Sequence, residues 1–296
     1  MLDWSKIKTI PLKDRNSLES VDDFKVPGSP YEKHSSKDLE ELAVQISNAK
    51  ERGKMVIAMF GAHLIKRGLS LYIIDLLKKG YIKHLATNGA GSIHDFEIAL
   101  AGKTSEDVAI HIKDGSFGMA EETGHMMNDA LKKSNKGYGY AIGNLIAENS
   151  FKYKESSIFY NAYDLGIPIT VHVAIGTDII HQHPSCDGAS LGQTSYDDFK
   201  KFVESVSMLK GGVLLNIGSA VILPEVFLKA LSIARNLGSP VNNFTSANFD
   251  MIKHYRPTMN VVERPTSIGG KGFNIIGLHQ STIPTLYHYI REHESN

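Results

Sequence analysis

The sequence predicts an α/β protein built on one doubly wound, mainly parallel sheet. Between Met55 and Gly102 the chain reads as a strand, a turn, a helix, a second strand and a glycine-bearing turn that opens another helix. Short segments rich in Val, Ile and Leu then alternate with helical segments as far as residue 293. Strands buried on both faces of a parallel sheet have this apolar character, and alternation with helices is typical of doubly wound folds.

The order of elements follows from turn and capping residues. Residues 1–36 are polar and contain two Pro-bearing turns, which predicts an N-terminal arm draped on the body or on a neighbouring subunit; residues 37–296 are predicted to form a single α/β domain. A first helix is expected from Ser36 to about Lys50, because serine caps its start and acids occupy its first turns. Strands are expected at 55–60, 82–87, 106–112, 168–175, 212–217, 241–245, 259–263 and 273–277. Helices are expected at 69–79, 92–101, 119–134, 139–149, 156–165, 195–209, 225–237 and 282–293.

Two of these helices have clear boundary residues. Thr194 or Ser195 is expected to cap the helix at 195–209, which has acids in its first turn. Pro224 lies in the first turn of the next helix and Gly238 just beyond its end, as helix geometry favours.

Charge and composition exclude several classes of protein. The 296 residues include 32 basic and 32 acidic side chains, so there is no basic excess of the kind that nucleic acids or anionic membranes attract. No apolar run could cross a bilayer, and the N-terminus lacks the apolar core of a signal peptide. The single cysteine, Cys186, cannot form an internal disulfide, which fits a reducing compartment. We therefore expect a cytoplasmic protein whose partner is a small-molecule substrate.

The turns after the strands are candidate ligand sites, because open α/β sheets bind ligands at the carboxyl ends of their strands. Gly89-Ala90-Gly91 follows the strand LATN, and a glycine turn lets phosphates approach the backbone and the next helix N-terminus. It is not a GxGxxG fingerprint, and a tight turn that needs positive φ explains it equally well. Similar small-residue turns occur at 216–220, 245–250 and 264–272.

A second candidate site follows the strand that begins near Pro168. His172, Asp178, His181, His183 and Asp187 crowd into this segment, and imidazole and carboxylate are good ligands for zinc, iron or manganese. The same side chains could bind a polar substrate, or His172 could be a core histidine beside two loop histidines. His181 and His183 are the candidates for proton transfer, since imidazole titrates near neutral pH.

Lys271 lies in a glycine-rich loop and is a candidate amine nucleophile if it is desolvated. A solvated loop lysine is the alternative.

Taken in order, these turns resemble deoxyhypusine synthase from about Lys54 to the C-terminus. The resemblance rests on GAHLIKRGLS with LATNGAGSIHDFE, on IPITVHVAIGTDII, on LLNIGSAVI and on TSANFD. It implies a sirtuin-related nucleotide-binding sheet, NAD as cofactor, transferase chemistry on an amine and a homotetramer with sites between subunits. By the resemblance, the cofactor would contact Ala62, His63, Thr87, Asn88, Gly89, Ala90, Gly91, Asp95, Gly218, Ser219 and Thr245, and the substrate would contact His172, Gly176 and Asp178.

The sequence also departs from the family pattern. Where the family has an acidic pair after its glycine turn, this chain has Ile93-His94, and the triple glycine is reduced to one glycine, Gly218, with Ser219 and Ala220. The tryptophan before the catalytic lysine is missing, although Lys271 takes the lysine's place. These departures argue against the family's own transfer from spermidine to a protein lysine.

We therefore expect an NAD-dependent transferase or oxidoreductase that acts on an amine-type or small polar substrate. The alternatives are a metal-dependent enzyme with His172, Asp178, His181 and His183 as ligands of a divalent metal, and a catalytically silent relative that binds a nucleotide.

Overall fold

The computed structural model describes residues 2–294, and a six-stranded parallel sheet lies at its centre. The strands are β1 (Ser17–Ser20), β2 (Val56–Phe60), β3 (His84–Asn88), β4 (Lys103–Glu106), β5 (Ile169–His172), β6 (Val213–Ile217), β7 (Thr245–Asp250) and β8 (Lys271–Ile276). The helices are α1 (Lys37–Glu51), α2 (Ala62–Lys66), α3 (Ser70–Lys78), α4 (Gly89–Ala101), α5 (Val108–His111), α6 (Glu121–Lys133), α7 (Tyr138–Glu148), α8 (Ile158–Asp164), α9 (Gly188–Ser207), α10 (Ile222–Asn236), α11 (Tyr255–Pro257), α12 (Arg264–Thr266) and α13 (His279–Glu294).

The central sheet is doubly wound. Its strand order is β5-β3-β2-β6-β7-β8, and all five neighbouring pairs are parallel. The chain therefore builds outward from β2 in one direction, through β3 to β5, and then returns to build β6, β7 and β8 on the other side. The order reverses between β2 and β6, and in such sheets the crevice outside this reversal point is where ligands bind. The predicted fold class is confirmed.

Both faces of the sheet are covered by helices, and β2 shows how its sequence fits this position. All five residues of β2 are buried. Val56, Ala58 and Phe60 belong to one core cluster, while Ile57 and Met59 belong to the cluster on the opposite face, with residues of α9 and α10. A strand with two buried faces has no polar side, which explains its continuous apolar run.

Three predicted strands are wrong. Residues 108–111 form the short helix α5, because Asp107 caps it through the N–H groups of Ala109 and Ile110; the real strand, β4, precedes it. Residues 241–244 lie outside any strand, and β7 begins at Thr245 instead. Residues 258–263 form a π-helical segment.

One predicted helix start is also wrong. Helix α9 begins at Gly188, because Asp187 accepts a hydrogen bond from the N–H of Ser190 and caps it. Thr194 and Ser195 lie inside the helix instead.

The N-terminal arm, as far as the structure describes it, lies on the body of the chain. Strand β1 pairs with β4 as an antiparallel ribbon. The Arg15 side chain is buried beneath it and forms two hydrogen bonds with the Glu97 carboxylate, at 2.7 and 2.8 Å. The N–H of His34 donates to Thr285 Oγ1 in α13 at 2.9 Å.

The outer side of edge strand β5 is occupied by a carboxylate. Asp198 in α9 accepts hydrogen bonds at Oδ2 from the N–H of Val171 and from the N–H of Gly139, both at 2.8 Å. Gly139 in α7 packs so closely on the carbonyl of Ile169 that no Cβ would fit.

Between residues 2 and 294, no helix combines the length and apolar character that a membrane crossing requires.

Candidate functional site

Residues from the carboxyl ends of four strands lie near the point where the strand order reverses, and we call them the switch-point cluster. They are Gly61 and His63 after β2, Gly218 after β6, Asp250 at the end of β7, and His279 after β8. The backbones approach closely, since a Cβ on Gly61 would lie 2.6 Å from the carbonyl oxygen of Gly218. Gly218 has a φ of +69°, and a Cβ there would lie 2.6 Å from His279 Nε2. Because Gly61 and Gly218 have no side chains, the surface at this point of the sheet is formed by backbone atoms.

Two neutral imidazoles border this backbone. The ring centroids of His63 and His279 are 5.7 Å apart in an edge-to-face arrangement. His279 is only 2% exposed, and its Nδ1 has no hydrogen-bond partner among the described residues. Burial, reinforced by the neighbouring His63, lowers the pKa of His279 to about 4, and burial also lowers the pKa of His63. A buried imidazole nitrogen without a hydrogen-bond partner is costly, and no described residue relieves that cost here.

Asp178 and His181 form a second group beside α4. The N–H groups of Gly176 and Asp178 both donate to His181 Nδ1, at 3.0 and 3.2 Å, so the neutral ring carries its proton on Nε2. That nitrogen lies 3.6 Å from Asp178 Oδ2, beyond hydrogen-bond range, and neither atom has another partner among the described residues. Burial raises the pKa of Asp178 to about 6 and lowers that of His181. The pair therefore combines a proton donor with a carboxylate that titrates near neutral pH, as acid–base groups do.

The buried Asp178 carboxyl is expected to make stability depend on pH. The folded chain binds this proton near pH 6 and the unfolded chain near 3.8, so the group stabilises the fold as the pH falls from about 6 towards 4. Asp178→Asn removes this dependence, and its stability relative to the native protein should rise by about 2 kcal/mol between pH 4 and pH 8. Urea unfolding of both proteins across this range measures the difference, and parallel pH profiles would contradict it.

The turn after β3 is engaged by the chain itself. The Thr87 hydroxyl is buried and donates to the carbonyl of Phe60 at 2.7 Å, and Asn88 Oδ1 accepts from the N–H of Gly91 at 2.9 Å. The Asp178 carboxylate lies against Gly89, and the nearby N–H of Ala90 favours its charged form. The first N–H groups of α4 thus already face an amide oxygen and a carboxylate, an arrangement that does not fit a cofactor phosphate at this turn.

The structure gives Asp95 a structural role. Its buried carboxylate accepts hydrogen bonds from the Ser157 hydroxyl and from the N–H groups of Ile158 and Phe159, and so holds the start of α8. In this structure the Asp95 carboxylate thus contacts α8, and its predicted contact with the cofactor stays a prediction.

The four residues proposed as metal ligands lie in different surroundings. His172 is buried, hydrogen-bonds the Thr170 hydroxyl at 3.1 Å and packs edge-on against Phe202. His183 packs against α6 and hydrogen-bonds Ser185 Oγ at 2.7 Å. Within residues 2–294, no group of three or more His, Cys, Asp or Glu side chains is arranged to hold a metal ion. The alternative of a metal site formed by His172, Asp178, His181 and His183 is therefore not supported.

Thr245 and Lys271 lie at the amino ends of their strands, on the side of the sheet opposite the switch-point cluster. Each is the first residue of its strand, and the two are paired in register. Because the strands are parallel, their amino ends face away from the switch-point cluster. Lys271 is exposed and forms an ion pair with Glu41 in α1. The assignment of Thr245 to a carboxyl-end turn is corrected, because β7 starts at this residue instead of ending before it.

Sequence reasoning missed several residues of the site. His279 follows the last strand in a segment without a recognisable motif, and Asp250 was noted only as the end of TSANFD. Arg15, Glu97 and Glu106 come together from the arm, α4 and β4, and no pattern in the sequence indicates that contact. Of the substrate candidates, His172 is the last residue of β5 and Gly176 follows that strand, but only Gly176 contacts the Asp178–His181 pair.

No protein-family model and no curated protein matches the chain. Solved structures do share its fold. A LOR/SDH-like protein from Methanococcus maripaludis is 17% identical over 91% of this chain and 74% of its own, with a TM-score of 0.57. The complex of AgrE with ornithine and NAD⁺ is 13% identical, with a TM-score of 0.57, and the match covers 88% of this chain but 34% of AgrE. A deoxyhypusine synthase-like protein from Entamoeba histolytica is 9% identical over 85% of this chain and 87% of its own, with a TM-score of 0.53.

At these identities the likeness shows a shared fold. The chain has an α/β fold that also occurs among NAD-related and deoxyhypusine synthase-like proteins. The resemblance seen in the sequence is thus supported as architecture.

Proposed function

We propose that this chain is an NAD-dependent transferase or oxidoreductase that acts on an amine-type or small polar substrate. The observation that carries the proposal is the switch-point cluster, where bare glycine backbone and the unpartnered, buried Nδ1 of His279 lie at the reversal of strand order. A shared fold with AgrE, whose structure contains NAD⁺ and ornithine, is consistent with it.

In this proposal Ala62, His63, Gly218 and Ser219 hold the cofactor between the carboxyl ends of β2 and β6. The cofactor, when bound, supplies a hydride acceptor. The chain's own residues orient the reactants and exclude water. His181, with its proton on Nε2, and Asp178, with its raised pKa, move protons to or from the substrate.

Ala62→Glu is expected to abolish NAD binding. Ala62 is the partly exposed first residue of α2 and is separated from β2 only by Gly61, so a carboxylate there would repel the cofactor's diphosphate. NAD at about a hundred times its Kd should stabilise the native protein by roughly 2.7 kcal/mol and raise its Tm by several degrees. The Glu variant should show no such rise, measured by thermal unfolding with and without NAD.

Ala62→Gln is the matched control, because it adds the same volume without the charge. It should retain most of the NAD-dependent rise. If the native protein shows no rise at millimolar NAD, or if the Glu variant rises as much as the native protein, the cofactor does not lie in this cleft.

A role for Lys271 as the nucleophile requires a different subunit's cleft, because within one chain Lys271 lies at the other edge of the sheet. The predicted homotetramer could bring the two together. We propose Lys271→Ala as its test: a borohydride-trapped adduct with substrate should disappear while NAD binding persists. The homotetramer and the cytoplasmic location are part of this proposal.

The sequence also allowed a catalytically silent relative that binds a nucleotide. A protein that binds NAD but turns over none of a broad panel of amines and alcohols would be of that kind.

A further inference from the structure

A small cavity lies between the N-terminal arm and the start of α4, and we call it the arm cavity. Its volume is about 160 Å³, the share of roughly five water molecules in the liquid. Its ionisable lining consists of Arg15, Lys66, His94, Glu97, Glu106 and Asp178. Asp178 links this cavity to the proposed proton-transfer pair, and Lys66 lies on the same short helix as His63.

Two buried carboxylates in the lining have an oxygen with no hydrogen-bond partner among the described residues. The Glu106 side chain is 4% exposed; its Oε2 accepts from the N–H of Gly118 at 2.9 Å, whereas its Oε1 has no donor. The Asp178 side chain is 6% exposed, and its Oδ2 is unpartnered in the same way. The nearest imidazole nitrogens, on His111 and His181, are 3.7 and 3.6 Å away and too far to donate. An unsatisfied buried carboxylate oxygen is costly, so each of these oxygens is suited to a donor from a ligand.

The other charges around the cavity are unevenly distributed. Arg15 and Glu97 neutralise one another through two hydrogen bonds, and Glu97 also accepts from the Thr104 and Thr123 hydroxyls. Burial lowers the pKa of His94 to about 4, which keeps its ring neutral. Glu106 and Asp178 therefore have no cation within hydrogen-bond distance, although the charge of Arg15 also acts on Glu106. Lys66 is partly exposed.

Backbone strain marks the same cavity. Ser105, which also lines it, has a φ of +68° in the middle of β4. Such a conformation is unfavourable for a residue other than glycine, and it is found more often at ligand sites than elsewhere. The strained residue directly precedes Glu106.

We propose that the arm cavity binds the primary ammonium group of a small amino acid or amino-acid-like amine, with Glu106 and Asp178 as its acceptors. The ligand's carboxylate faces Lys66 at the partly exposed side. This inference rests on the proposed function, because it names the class of the amine substrate and places its nitrogen beside the Asp178–His181 pair. It also makes the N-terminal arm part of the substrate site.

Calorimetric titration of the full-length protein without NAD tests the proposal. The panel contains methylammonium, β-alanine, γ-aminobutyrate and L-ornithine, together with propionate and butyrate, which lack the amine. We expect at least one amino acid to bind, and its counterpart without the amine to bind at least tenfold more weakly. Glu106→Gln should weaken binding of that amino acid roughly ten- to a hundredfold, the usual worth of a hydrogen bond to a charged group.

The substitution is designed to preserve the fold, because glutamine still offers Gly118 an acceptor oxygen. Glu204→Gln, the same change at an exposed position of α9, is the matched control and should leave the affinity unchanged. The proposal is overturned if no amine on the panel binds at millimolar concentration, if butyrate binds as well as γ-aminobutyrate, or if Glu106→Gln binds like the native protein. NAD titrated separately distinguishes the two proposals: NAD binding without amine binding overturns this one alone, and the reverse overturns only the cofactor assignment.

Discussion

Arg15→Met is expected to lower the free energy of unfolding by about 3–5 kcal/mol, a large part of the stability of an ordinary domain. The side chains of Arg15 and Glu97 are both 1% exposed. Methionine fills similar volume, but it leaves the Glu97 carboxylate buried without its counter-ion. Urea unfolding followed by circular dichroism measures the loss.

Two further variants separate this cause from general disruption of the arm. Adding Glu97→Gln to Arg15→Met removes the unpaired charge and should recover part of the loss. Lys271→Ala breaks the exposed pair with Glu41, in which the side chains are 55% and 41% exposed, and should cost at most about 1 kcal/mol. Equal losses for Arg15→Met and Lys271→Ala would contradict the importance of burial at Arg15.

Gly218→Ala is expected to destabilise the protein by about 3–4 kcal/mol and to abolish NAD binding. Part of the loss, about 1–2 kcal/mol, comes from the left-handed backbone, since φ is +69°. The remainder comes from the Cβ, which would lie 2.6 Å from His279 Nε2 and force the buried ring to move. Thermal and urea unfolding, with and without NAD, measure both effects.

Gly166→Ala provides the matched control for Gly218→Ala. Gly166 has nearly the same φ, +66°, but a Cβ there would meet nothing within 4 Å. It should therefore show the backbone cost alone. If the two alanine variants lose the same stability, contact with His279 contributes nothing, and the double variant Gly218→Ala with His279→Ala should then show no recovery.

The parallel sheet could be predicted because burial on two faces leaves a direct mark on sequence. Strands such as β2 and β6 are apolar throughout, and their predicted limits are within one residue of the observed ones. Strand β7 was misplaced because several of its buried side chains are polar. Asn248 pairs in register with Asn216 and Asn274, and the Asn216 amide donates to Asn248 Oδ1 at 2.8 Å. A buried strand whose side chains hydrogen-bond across the sheet does not have the apolar pattern that identifies its neighbours.

The residues of the candidate site could be predicted only in part, because some of them come together through contacts that leave no local pattern in the sequence. The turn positions of Ala62, His63 and Gly218 follow from local pattern, because each lies within three residues of the end of an apolar strand. His279 and Arg15 reach their places through contacts between segments far apart in the chain. Such contacts depend on strand order and on the path of the arm, and neither leaves a local pattern. Lys271 was assigned to the site because a glycine-rich loop was recognised, but the loop leads into β8 instead of following it.

The Asp198 carboxylate protects edge strand β5 from pairing with a strand of another molecule. An edge strand normally presents free N–H groups to which a strand from another molecule can add. Here the outward N–H of Val171 is already bound, and α7 covers the same side with Gly139 against the carbonyl of Ile169. A second chain would have to displace both a buried acid and a helix before it could extend the sheet past β5. Growth of β-aggregates from this edge should therefore begin only after α7 and α9 have come away, which ties resistance to aggregation to the packing of two helices.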